Sequence, residues 1–436
     1  MDLAKALRVT RQSRLAFVGA GGKTTAMFQL ARQLPPPVLV TATTHLAVEQ
    51  LKLADCHFIV QTAEAVRKTE KLEGVVLFTG PLADDGRTRG VDESTLQEIR
   101  ARAETLNGPL LIEADGSRQR PLKAPADHEP PIPGFVDTVV VVAGLSGLGR
   151  PLTAETVHRP ERFASLAGLA MGEWVTGEAL GRVLGHPEGG LKNIPPKARR
   201  VVLLNQADTV ALQSQARGLV EGLLAGFDGV GIATVLSQEV FAMHENMAGV
   251  VLAGGGSRRL GQPKQLLAWQ GKPLVRHIVE VALEAGVSPV VVVTGAYGEE
   301  VAEAVRGLPA RVAHNPAWAE GQSTSVRRGL AELPVGVGGA VFLLVDQPFV
   351  SAPLIRALME EHARTLAPIA APLIEEQRGN PVLFDRVTFG AFEGLQGDVG
   401  ARPLFARYRP VWVPWHDARA LTDVDTWEDY QRLSEE

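Results

Sequence analysis

The sequence predicts an α/β protein made of two doubly wound domains, and three observations carry this prediction. Short aliphatic and β-branched runs recur along the 436 residues, and most are continuous rather than alternating, as in parallel strands buried on both faces. Helical patterns separate many of these runs, which is the order of elements in a doubly wound fold. The pattern then restarts near Met243–Ala248, so we expect one domain over residues 1–247 and a second over residues 248–436.

In the N-terminal domain, one helix is expected over Thr24–Leu34. Three prolines, Pro35 to Pro37, end it because proline has no amide hydrogen for the helical ladder. The predicted strands of this domain are Arg14–Gly19, Pro37–Thr41, Val75–Thr79, Leu110–Glu113, Thr138–Ala143 and Arg200–Asn205.

In the C-terminal domain, the strand Gly249–Ala253 leads directly into a glycine-rich loop. Helices are expected over Pro273–Glu284, which has proline at its start, and over Glu299–Gly307. The remaining predicted strands are Pro289–Thr294, Ala340–Val345, Ile369–Pro372 and Val411–Pro414.

The composition indicates a soluble globular protein and disfavours several other classes. Charged residues make up 21% of the chain, and the formal net charge of -5 argues against nucleic acid as a partner. The single cysteine, Cys56, excludes an internal disulfide and a zinc site of several cysteines, and we expect it to be buried and structural. No signal-peptide pattern is present, and no apolar run approaches the roughly 20 residues of a membrane helix. A cytoplasmic protein without a membrane partner is therefore expected.

The loop after the first C-terminal strand predicts a phosphate-binding site. The segment Val251–Lys264 places Gly254, Gly255 and Gly256 directly after the strand. Glycines let backbone N–H groups approach an anion closely, and Arg258, Arg259 and Lys264 add positive charge. No Gly-Lys-Ser/Thr follows, so this is not a Walker A loop. The alternative is a tight turn with surface arginines.

Two aspartates are candidate metal ligands of the same domain. Asp346 follows the strand Ala340–Val345, where a carboxylate can hold Mg²⁺ on triphosphate oxygens; otherwise it caps a helix starting near Ser351. Asp425 is either a second metal ligand or a helix N-cap, a role for which Thr426 competes.

Three further polar residues have two interpretations each. Ser323 and Ser325 offer hydroxyl donors to a nucleotide, or one of them caps a helix. Arg402 binds a phosphate of the second substrate, or is a solvated arginine on a helix Ala401–Tyr408.

The loop pattern resembles that of the molybdenum cofactor nucleotidyltransferases, and of their cytidylyltransferase branch (MocA-like) in particular. Later blocks match in the same order: NPAWAEGQSTSV from Asn315, VDQP from Val345, RGNPV from Arg378, GDVGAR from Gly397 and TDVDT from Thr422.

This resemblance implies a Rossmann-like fold of the nucleotide-diphospho-sugar transferase type, and transfer of CMP from CTP to Mo-molybdopterin with release of pyrophosphate. It implies catalytic roles for Lys264, Arg259 and Asp346, Mg²⁺ on Asp346 and Asp425, and an apo molybdenum hydroxylase as recipient of the product. The implied substrate contacts are Leu252, Ala253, Gly254, Gly255, Gly256, Ser257, Gly321, Ser323 and Ser325 for the nucleotide, and Asn380, Asp398 and Arg402 for the cofactor substrate.

Two positions depart from the cytidylyl pattern. Gly254 stands where that branch has alanine, as in the guanylyl branch, so an enlarged base pocket and use of GTP to make the guanine dinucleotide remain an alternative. Asn380 stands where the family often has histidine, and it cannot act as an acid or base. A cofactor carrier or insertion chaperone without turnover is the alternative from another class.

A second glycine-rich loop, Phe17–Thr25, follows the first N-terminal strand and opens a helix. It ends in Gly-Lys-Thr like a Walker A loop but is shorter, and it predicts an anion site at a helix N-terminus. Two later strands end in IEADGS and NQAD, which add carboxylates and an amide. The candidate nucleotide site is Gly19, Gly21, Gly22, Lys23, Thr24, Thr25, Glu113, Asp115, Asn205 and Asp208.

These motifs, with VTATTHL and the loop RQRPLKAPADHEPPIP from Arg118, resemble the selenium-dependent molybdenum hydroxylase accessory family (YqeC-like). The resemblance implies a P-loop-like NTPase-type domain that uses ATP or GTP in maturing a molybdenum cofactor. Whether selenium is involved, and whether the loop drives a reaction or acts as a nucleotide switch, stays open.

Overall fold

A computed structural model describes residues 1–84, 86–257 and 260–434. The chain divides into two compact units, Met1–His244 and Glu245–Glu436. This division falls three residues before the predicted domain boundary, because the first strand of the second unit begins at Met247 rather than at Gly249. No helix in the described ranges combines the length and apolarity needed to cross a membrane.

The first unit is built on a mostly parallel sheet with β1 near its centre. Its strands, β1 to β11 in chain order, are Arg14–Gly19, Val38–Ala42, Cys56–Ile59, Val75–Thr79, Leu110–Glu113, Leu122–Lys123, Thr138–Gly144, Val157–His158, Arg199–Asn205, Gly229–Thr234 and Glu239–Glu245. The sheet order is β11-β10-β9-β7-β1-β5-β2-β4-β3, while β6 and β8 pair separately.

The helices of the first unit lie in the connections between these strands. They are α1 to α9, in chain order Leu3–Ala6, Lys23–Gln33, Val48–Leu51, Ala63–Arg67, Glu93–Thr105, Pro160–Ala167, Gly177–Gly185, Val210–Arg217 and Val220–Leu224.

A topological switch point lies at the carboxyl end of β1. From β1 the chain passes through α2 to β2, on the side of β5, and it later reaches β7 on the opposite side. The pairs of β1 with β5 and with β7 are both parallel. Open α/β sheets bind their ligands at such a point, outside the carboxyl ends of the strands.

The second unit has a mixed sheet, which differs from the mostly parallel sheet that the sequence predicted. Its strands, β12 to β21, are Met247–Ala253, Ala268–Trp269, Lys272–Pro273, Val290–Thr294, Ala310–His314, Gly339–Leu344, Ile369–Ile374, Gln377–Arg378, Val382–Asp385 and Pro410–Pro414. The order is β16-β15-β12-β17-β20-β18-β19, with β21 beside β18. The strand β20 runs antiparallel to both β17 and β18.

The helices of the second unit are α10 to α15, in chain order Leu274–Glu284, Gly298–Ala304, Gln322–Ala331, Ala352–Thr365, Leu404–Arg407 and Trp427–Ser434. As in the first unit, the central strand β12 is followed by a glycine-rich loop, and its neighbours β15 and β17 are parallel to it.

Each unit has its own apolar core. All seven residues of β7 are buried in the first unit, as expected for a continuous apolar run inside a parallel sheet. In the second unit Phe342, Phe384 and Phe392 pack on one another, with ring centroids 5.1–5.6 Å apart.

The prediction that Cys56 is buried is wrong. Cys56 begins β3, which is the edge strand of the sheet, and its side chain is half-buried there.

Candidate functional site

The glycine-rich loop of the second unit forms one wall of a cleft of about 600 Å³ at the carboxyl ends of β12 and β17. Three of the predicted nucleotide residues are not on the wall of this cleft, namely Ala253, Ser257 and Ser323. The predicted loop arginines, Arg258 and Arg259, lie outside the described residues. The lining includes Leu252, Gly254, Gly255, Gly256, Lys264, Gln265, Trp318, Gly321, Gln322, Ser325, Asp346 and Asp398. Six of the nine predicted nucleotide residues therefore lie together.

A buried glutamine fixes the shape of this loop. Gln265 Nε2 donates to the carbonyl oxygens of Ala253 and Gly255, at 3.0 and 2.6 Å. Ser257 Oγ donates to Gln265 Oε1 at 3.3 Å and accepts from the Lys264 amide at 2.9 Å. Sequence reasoning missed Gln265, because a glutamine beside a loop lysine has no distinguishing pattern; Ser257 shapes the loop from behind the cleft.

Lys264 lies between the two predicted carboxylates. Its Nζ forms a short ion pair with Asp346 Oδ2 and a longer one, 3.3 Å, with Asp425 Oδ1. Burial by itself would lower the pKa of Lys264, but the adjacent Asp346 and Asp425 carboxylates outweigh burial and raise it. The lysine is therefore held as a cation on the cleft wall.

The helix-cap alternatives for these carboxylates do not apply. Asp346 follows β17 and pairs with Lys264, whereas the N-cap of α13 is Ser351. At α15, Thr426 Oγ1 accepts the Asp429 amide at 3.1 Å, and Asp429 Oδ2 accepts the Thr426 amide at 3.1 Å. Thr426 thus caps α15, and Asp425 is left facing Lys264.

A third carboxylate, Asp423, lies behind these groups and was not predicted. Gln347 Nε2 donates to Asp423 Oδ1 at 2.7 Å, and the Val424 amide donates to the Asp346 carbonyl at 2.8 Å. Burial raises the pKa of Asp423, and the nearby Asp346 and Asp425 add to this rise. These contacts tie the Thr422 block to the end of β17.

Gly254 lies on the cleft wall beside Ser325, which also lines the cleft. A Cβ at this position would lie 3.2 Å from Ser325 Oγ and 3.6 Å from the Gly295 nitrogen. Asn315 Nδ2 in turn donates to Ser325 Oγ at 3.0 Å and to Thr324 Oγ1 at 2.8 Å. The space left by the missing methyl group therefore lies beside a hydrogen-bonded network that includes Ser325.

The segment around Gly321 closes the other side of the cleft. Gly321 has φ +118°, and a Cβ there would lie 2.4 Å from the Gly397 carbonyl carbon, so only glycine fits. Asp398 Oδ1 accepts the Gln322 amide at 3.2 Å. Ser323 Oγ is buried and has no hydrogen-bond partner among the described residues.

Two residues predicted for the second substrate do not line the cleft. Asn380 is half-buried, and Arg402 is exposed just before α14 rather than on a helix Ala401–Tyr408. Arg378 stacks on the Phe405 ring with 4.4 Å between its Cζ and the ring centroid. Burial and then the charge of Arg402 lower the pKa of Arg378, so the two guanidinium groups are near each other.

The loop of the first unit opens a separate cavity of about 350 Å³, lined among others by Gly21, Gly22, Lys23, Thr24, Thr25 and Glu113. Gly19, Gly21 and Gly22 all have positive φ. A Cβ at Gly21 would lie 2.3 Å from the Gly144 nitrogen, so the loop needs glycine there. Thr24 Oγ1 donates to Glu113 Oε2 at 2.7 Å, and burial raises the pKa of this carboxyl.

Lys23 folds back onto its own loop. Its side chain is 3% exposed, its Nζ donates to the Gly19 carbonyl at 2.7 Å, and it lies 3.3 Å from Asp115 Oδ1. Asp115 Oδ2 also accepts the Gly19 amide at 3.0 Å. The lysine and both predicted carboxylates therefore meet at the end of β1.

Asn205 and Asp208 of the NQAD motif have different contacts. Asn205 Nδ2 donates to the Gly21 carbonyl at 2.7 Å, and its Oδ1 accepts the Val235 amide at 2.9 Å. Asp208 is exposed, away from the cavity wall, and accepts from Thr234 Oγ1 at 2.9 Å. Asn205 thus supports the glycine-rich loop Phe17–Thr25 through Gly21, and Asp208 is not brought into the site.

A buried ion-pair chain extends from Asp115 into the loop after Arg118. Lys123 Nζ lies 2.7 Å from Asp115 Oδ2 and 2.6 Å from Glu129 Oε2, and Glu129 pairs with both terminal nitrogens of Arg159. Burial opposes the charged form, but Arg159 and Lys123 lower the pKa of Glu129 to about 2. Lys123 lies in the loop from Arg118 that carries the family resemblance, but neither its ion pairs nor the role of Arg159 could be predicted from the sequence.

Two family models match the chain, one in each unit. The model described as YqeC protein matches residues 15–161, and the MobA-like NTP transferase domain matches residues 249–411. YqeC of Escherichia coli (strain K12) is 34% identical over 215 residues, which are 47% of this chain and 81% of that protein.

Two further relatives each match less than half of the chain. Nicotine blue oxidoreductase of Paenarthrobacter nicotinovorans is 32% identical over 199 residues, 43% of this chain and 96% of the relative. The 3-deoxy-manno-octulosonate cytidylyltransferase of Methylococcus capsulatus (strain ATCC 33009 / NCIMB 11132 / Bath) is 38% identical over 167 residues, 35% of this chain and 61% of the relative.

Proposed function

Since the chain belongs to the YqeC family over its N-terminal unit and to the MobA-like NTP transferase family over its C-terminal unit, we propose that the C-terminal unit is a molybdenum cofactor cytidylyltransferase. It transfers CMP from CTP to Mo-molybdopterin and releases pyrophosphate. The single observation that carries the proposal is Lys264, held as a cation between Asp346 and Asp425 on the wall of a cleft formed by a glycine-rich loop.

In the proposed reaction, an oxygen of the pterin's terminal phosphate forms a bond to the α-phosphorus of CTP, and the bond from that phosphorus to the bridging oxygen of pyrophosphate breaks. The chain contributes position and charge rather than a covalent nucleophile. Loop amides from Gly254 to Gly256 bind the phosphates, and Lys264 neutralises charge on the α-phosphate and the leaving pyrophosphate. Arg259, on the same loop, is proposed to assist.

The donor set around Lys264 fits a divalent cation such as Mg²⁺. Asp346 and Asp425 converge on one ammonium group, so hard oxygen donors of both meet at one point. Within the described residues, no cluster of three or more His, Cys, Asp or Glu could hold a metal by itself. This suits an ion that binds one or two carboxylates together with substrate phosphates, where it would neutralise developing charge.

The choice of CTP rests on the Gly397 and Thr422 blocks and on the relative named as a cytidylyltransferase. The contact of Gly254 with Ser325 favours neither base, so GTP remains the alternative nucleotide. We propose Asn380 and Arg402 as contacts to the cofactor substrate outside the cleft, with Asp398 at its rim, and an apo molybdenum hydroxylase as recipient.

For the N-terminal unit we propose a P-loop-like site for ATP or GTP, supported by Thr24 on Glu113 and by Asn205 behind the loop. The site supplies a nucleotide-dependent step in maturing a molybdenum hydroxylase, including selenium-dependent ones.

The test is pyrophosphate release from each of the four nucleoside triphosphates in the presence of Mg²⁺ and molybdopterin cofactor. We expect CTP to be preferred, Lys264→Ala and Asp346→Ala to abolish release, and Lys23→Ala to leave it unchanged. Release with GTP alone would replace the cytidylyl assignment by a guanylyl one. Stoichiometric cofactor binding without release from any nucleotide would contradict the enzyme and indicate a carrier.

A further inference from the structure

A second cavity of the first unit adjoins the cavity at the loop Phe17–Thr25, and it is termed the arginine cavity because arginines line much of its wall. Its volume of about 690 Å³ is typical of small-molecule sites. The candidate nucleotide residues do not account for this cavity, although Arg118, Arg120 and Glu129 on its wall belong to the loop from Arg118 quoted above. The ionisable side chains on its wall are His45, Arg87, Arg118, Arg120, Glu129, His158, Arg159 and Glu161.

Positive charge dominates this wall. Glu129 is already paired with Lys123 and Arg159, and Glu161 is exposed. Within the ranges that the structure describes, neither Arg118 nor Arg120 forms an ion pair with a carboxylate. Burial, followed by the charges of Arg159 and Lys123, lowers the pKa of His158 to about 4, so this imidazole stays neutral among the guanidinium groups.

The backbone that presents these arginines is strained. Arg118 and Gln119 are consecutive left-handed residues with φ +50° and +59°, and Arg159 has φ +65°. Such conformations are unfavourable for residues other than glycine and cluster at ligand clamps. Here the positive-φ residues lie where the chain places guanidinium groups on the wall of one cavity.

The two cavities share part of their walls. His45, Arg87, Gly116, Arg118 and Arg120 line both, so a ligand of the arginine cavity would lie next to one bound by Lys23 and Thr24. Guanidinium groups match phosphate oxygens through paired N–H donors. We propose that the arginine cavity binds the phosphate group of a second substrate beside the nucleotide, an inference that rests on the nucleotide site proposed for the loop.

Hydrogen exchange of the full-length protein with excess inorganic phosphate tests this, because mass spectrometry of peptides separates the two units. We expect phosphate to slow exchange several-fold in peptides covering residues 116–121 and 154–161. The double variant Arg118→Gln/Arg120→Gln should lose this protection, while Arg118→Lys keeps part of it. The control Arg11→Gln removes an exposed arginine that lines neither cavity and should change nothing.

A second arm uses Mg·ATP and Mg·GTP as probes. Lys23→Ala should lose nucleotide protection of residues 19–25 and keep phosphate protection of residues 154–161. Phosphate protection without any nucleotide protection would refute the nucleotide site and leave the phosphate site standing. Protection confined to residues 19–25, no protection at all, or protection that survives the double variant would overturn the phosphate site. The phosphate site would also be overturned if nucleotide by itself protected residues 154–161 and added phosphate gave no further protection.

Discussion

Gln265 shows how one side chain sets the geometry of the phosphate loop in the second unit. It is 1% exposed and donates to carbonyl groups on both sides of Gly254. Without it these two carbonyl groups would lose their hydrogen-bond donor, and the loop would be free to change its shape. Preorganised donors are effective because they need no rearrangement during the reaction.

Gln265→Leu should therefore lower kcat/KM for pyrophosphate release on the order of 10- to 100-fold. We also expect a loss of about 1–3 kcal/mol in the free energy of unfolding, since two buried acceptors lose their donor. Gln377→Leu, at an exposed position of β19, is the matched control. Equal activity of the Gln265 and Gln377 variants would contradict the role given to this side chain.

A double-mutant cycle tests whether a side chain at position 254 would press on Ser325. Gly254→Ala should lower activity about tenfold, because its Cβ would lie 3.2 Å from Ser325 Oγ. Ser325→Ala removes that oxygen, so the double variant should recover part of the loss, with a coupling of about 0.5–2 kcal/mol. Strict additivity of the two substitutions in steady-state kinetics would show that the contact does not limit this position.

At the scale of secondary structure elements, both sites are built from segments at the carboxyl ends of strands. The loop after β1 is supported by the end of β9, through Asn205, and the cleft of the second unit is completed by the segment that precedes α15. In both cases a residue distant in sequence supports a glycine-rich loop that begins at a central strand.

Asn205→Asp should destabilise the phosphate loop of the first unit. A carboxylate cannot donate to the Gly21 carbonyl, and it would be buried beside that oxygen. We expect a loss of about 1–3 kcal/mol in unfolding free energy and faster hydrogen exchange of residues 19–25. Asp208→Asn, at an exposed position of the same segment, should change neither quantity; an equal effect of both variants would refute the assignment.

Thr426→Ala removes the N-cap of α15 and should cost about 0.5–2 kcal/mol of helix stability. Because Asp425 immediately precedes the cap, we also expect a several-fold loss in kcat/KM. Thr426→Ser keeps the hydroxyl and should preserve both. The readouts are hydrogen exchange of residues 427–433 and pyrophosphate release, and unchanged values in the alanine variant would contradict this role.

At the scale of the whole molecule, the chain joins two units that each have a sheet, a core and a candidate site. Lys23, Glu113, Asp115 and Lys123 are buried at the first site, so the stability of the first unit should depend on pH.

His158 determines whether the stability of the first unit rises or falls with pH. Burial and two cations lower its pKa from 6.5 to about 4 in the folded protein. Between these values the unfolded chain binds the extra proton, so stability is complete above about pH 6.5 and falls as the pH decreases toward 4. Allowing for solvent screening, the loss is about 1–2 kcal/mol.

We expect His158→Gln to flatten the pH dependence of hydrogen exchange in β7 between pH 7 and pH 5, where Glu129 stays ionised in both variants. An unchanged slope in the variant would assign the acid sensitivity to other groups.

The division into units predicts that residues 245–436 fold alone and release pyrophosphate at the rate of the full chain. The reason is that β12 to β21 and their core lie within this range. Circular dichroism and the pyrophosphate assay check this. A fragment that is folded but inactive would mean that the first unit contributes to the reaction.

The local sequence pattern by itself determined the positions of the central strands and of both glycine-rich loops. Continuous apolar runs placed the central strands to within one or two residues, since burial on both faces requires them, and glycines after strands indicated both loops. The half-exposed strands β3 and β16 have no such pattern and were missed, and β20 was missed although it is buried, because it has only four residues.

Tertiary structure decided which distant side chains meet. Asp425 faces Lys264 because Thr426 takes the helix cap, and Gln265, Asp423, Lys123 and Arg159 enter the sites only through folding. The arginine cavity likewise exists only where separate loops converge. The physical reason is that strand and loop signals are local in the chain, whereas charge pairing and hydrogen bonding between distant residues depend on distances in space that a single sequence does not contain.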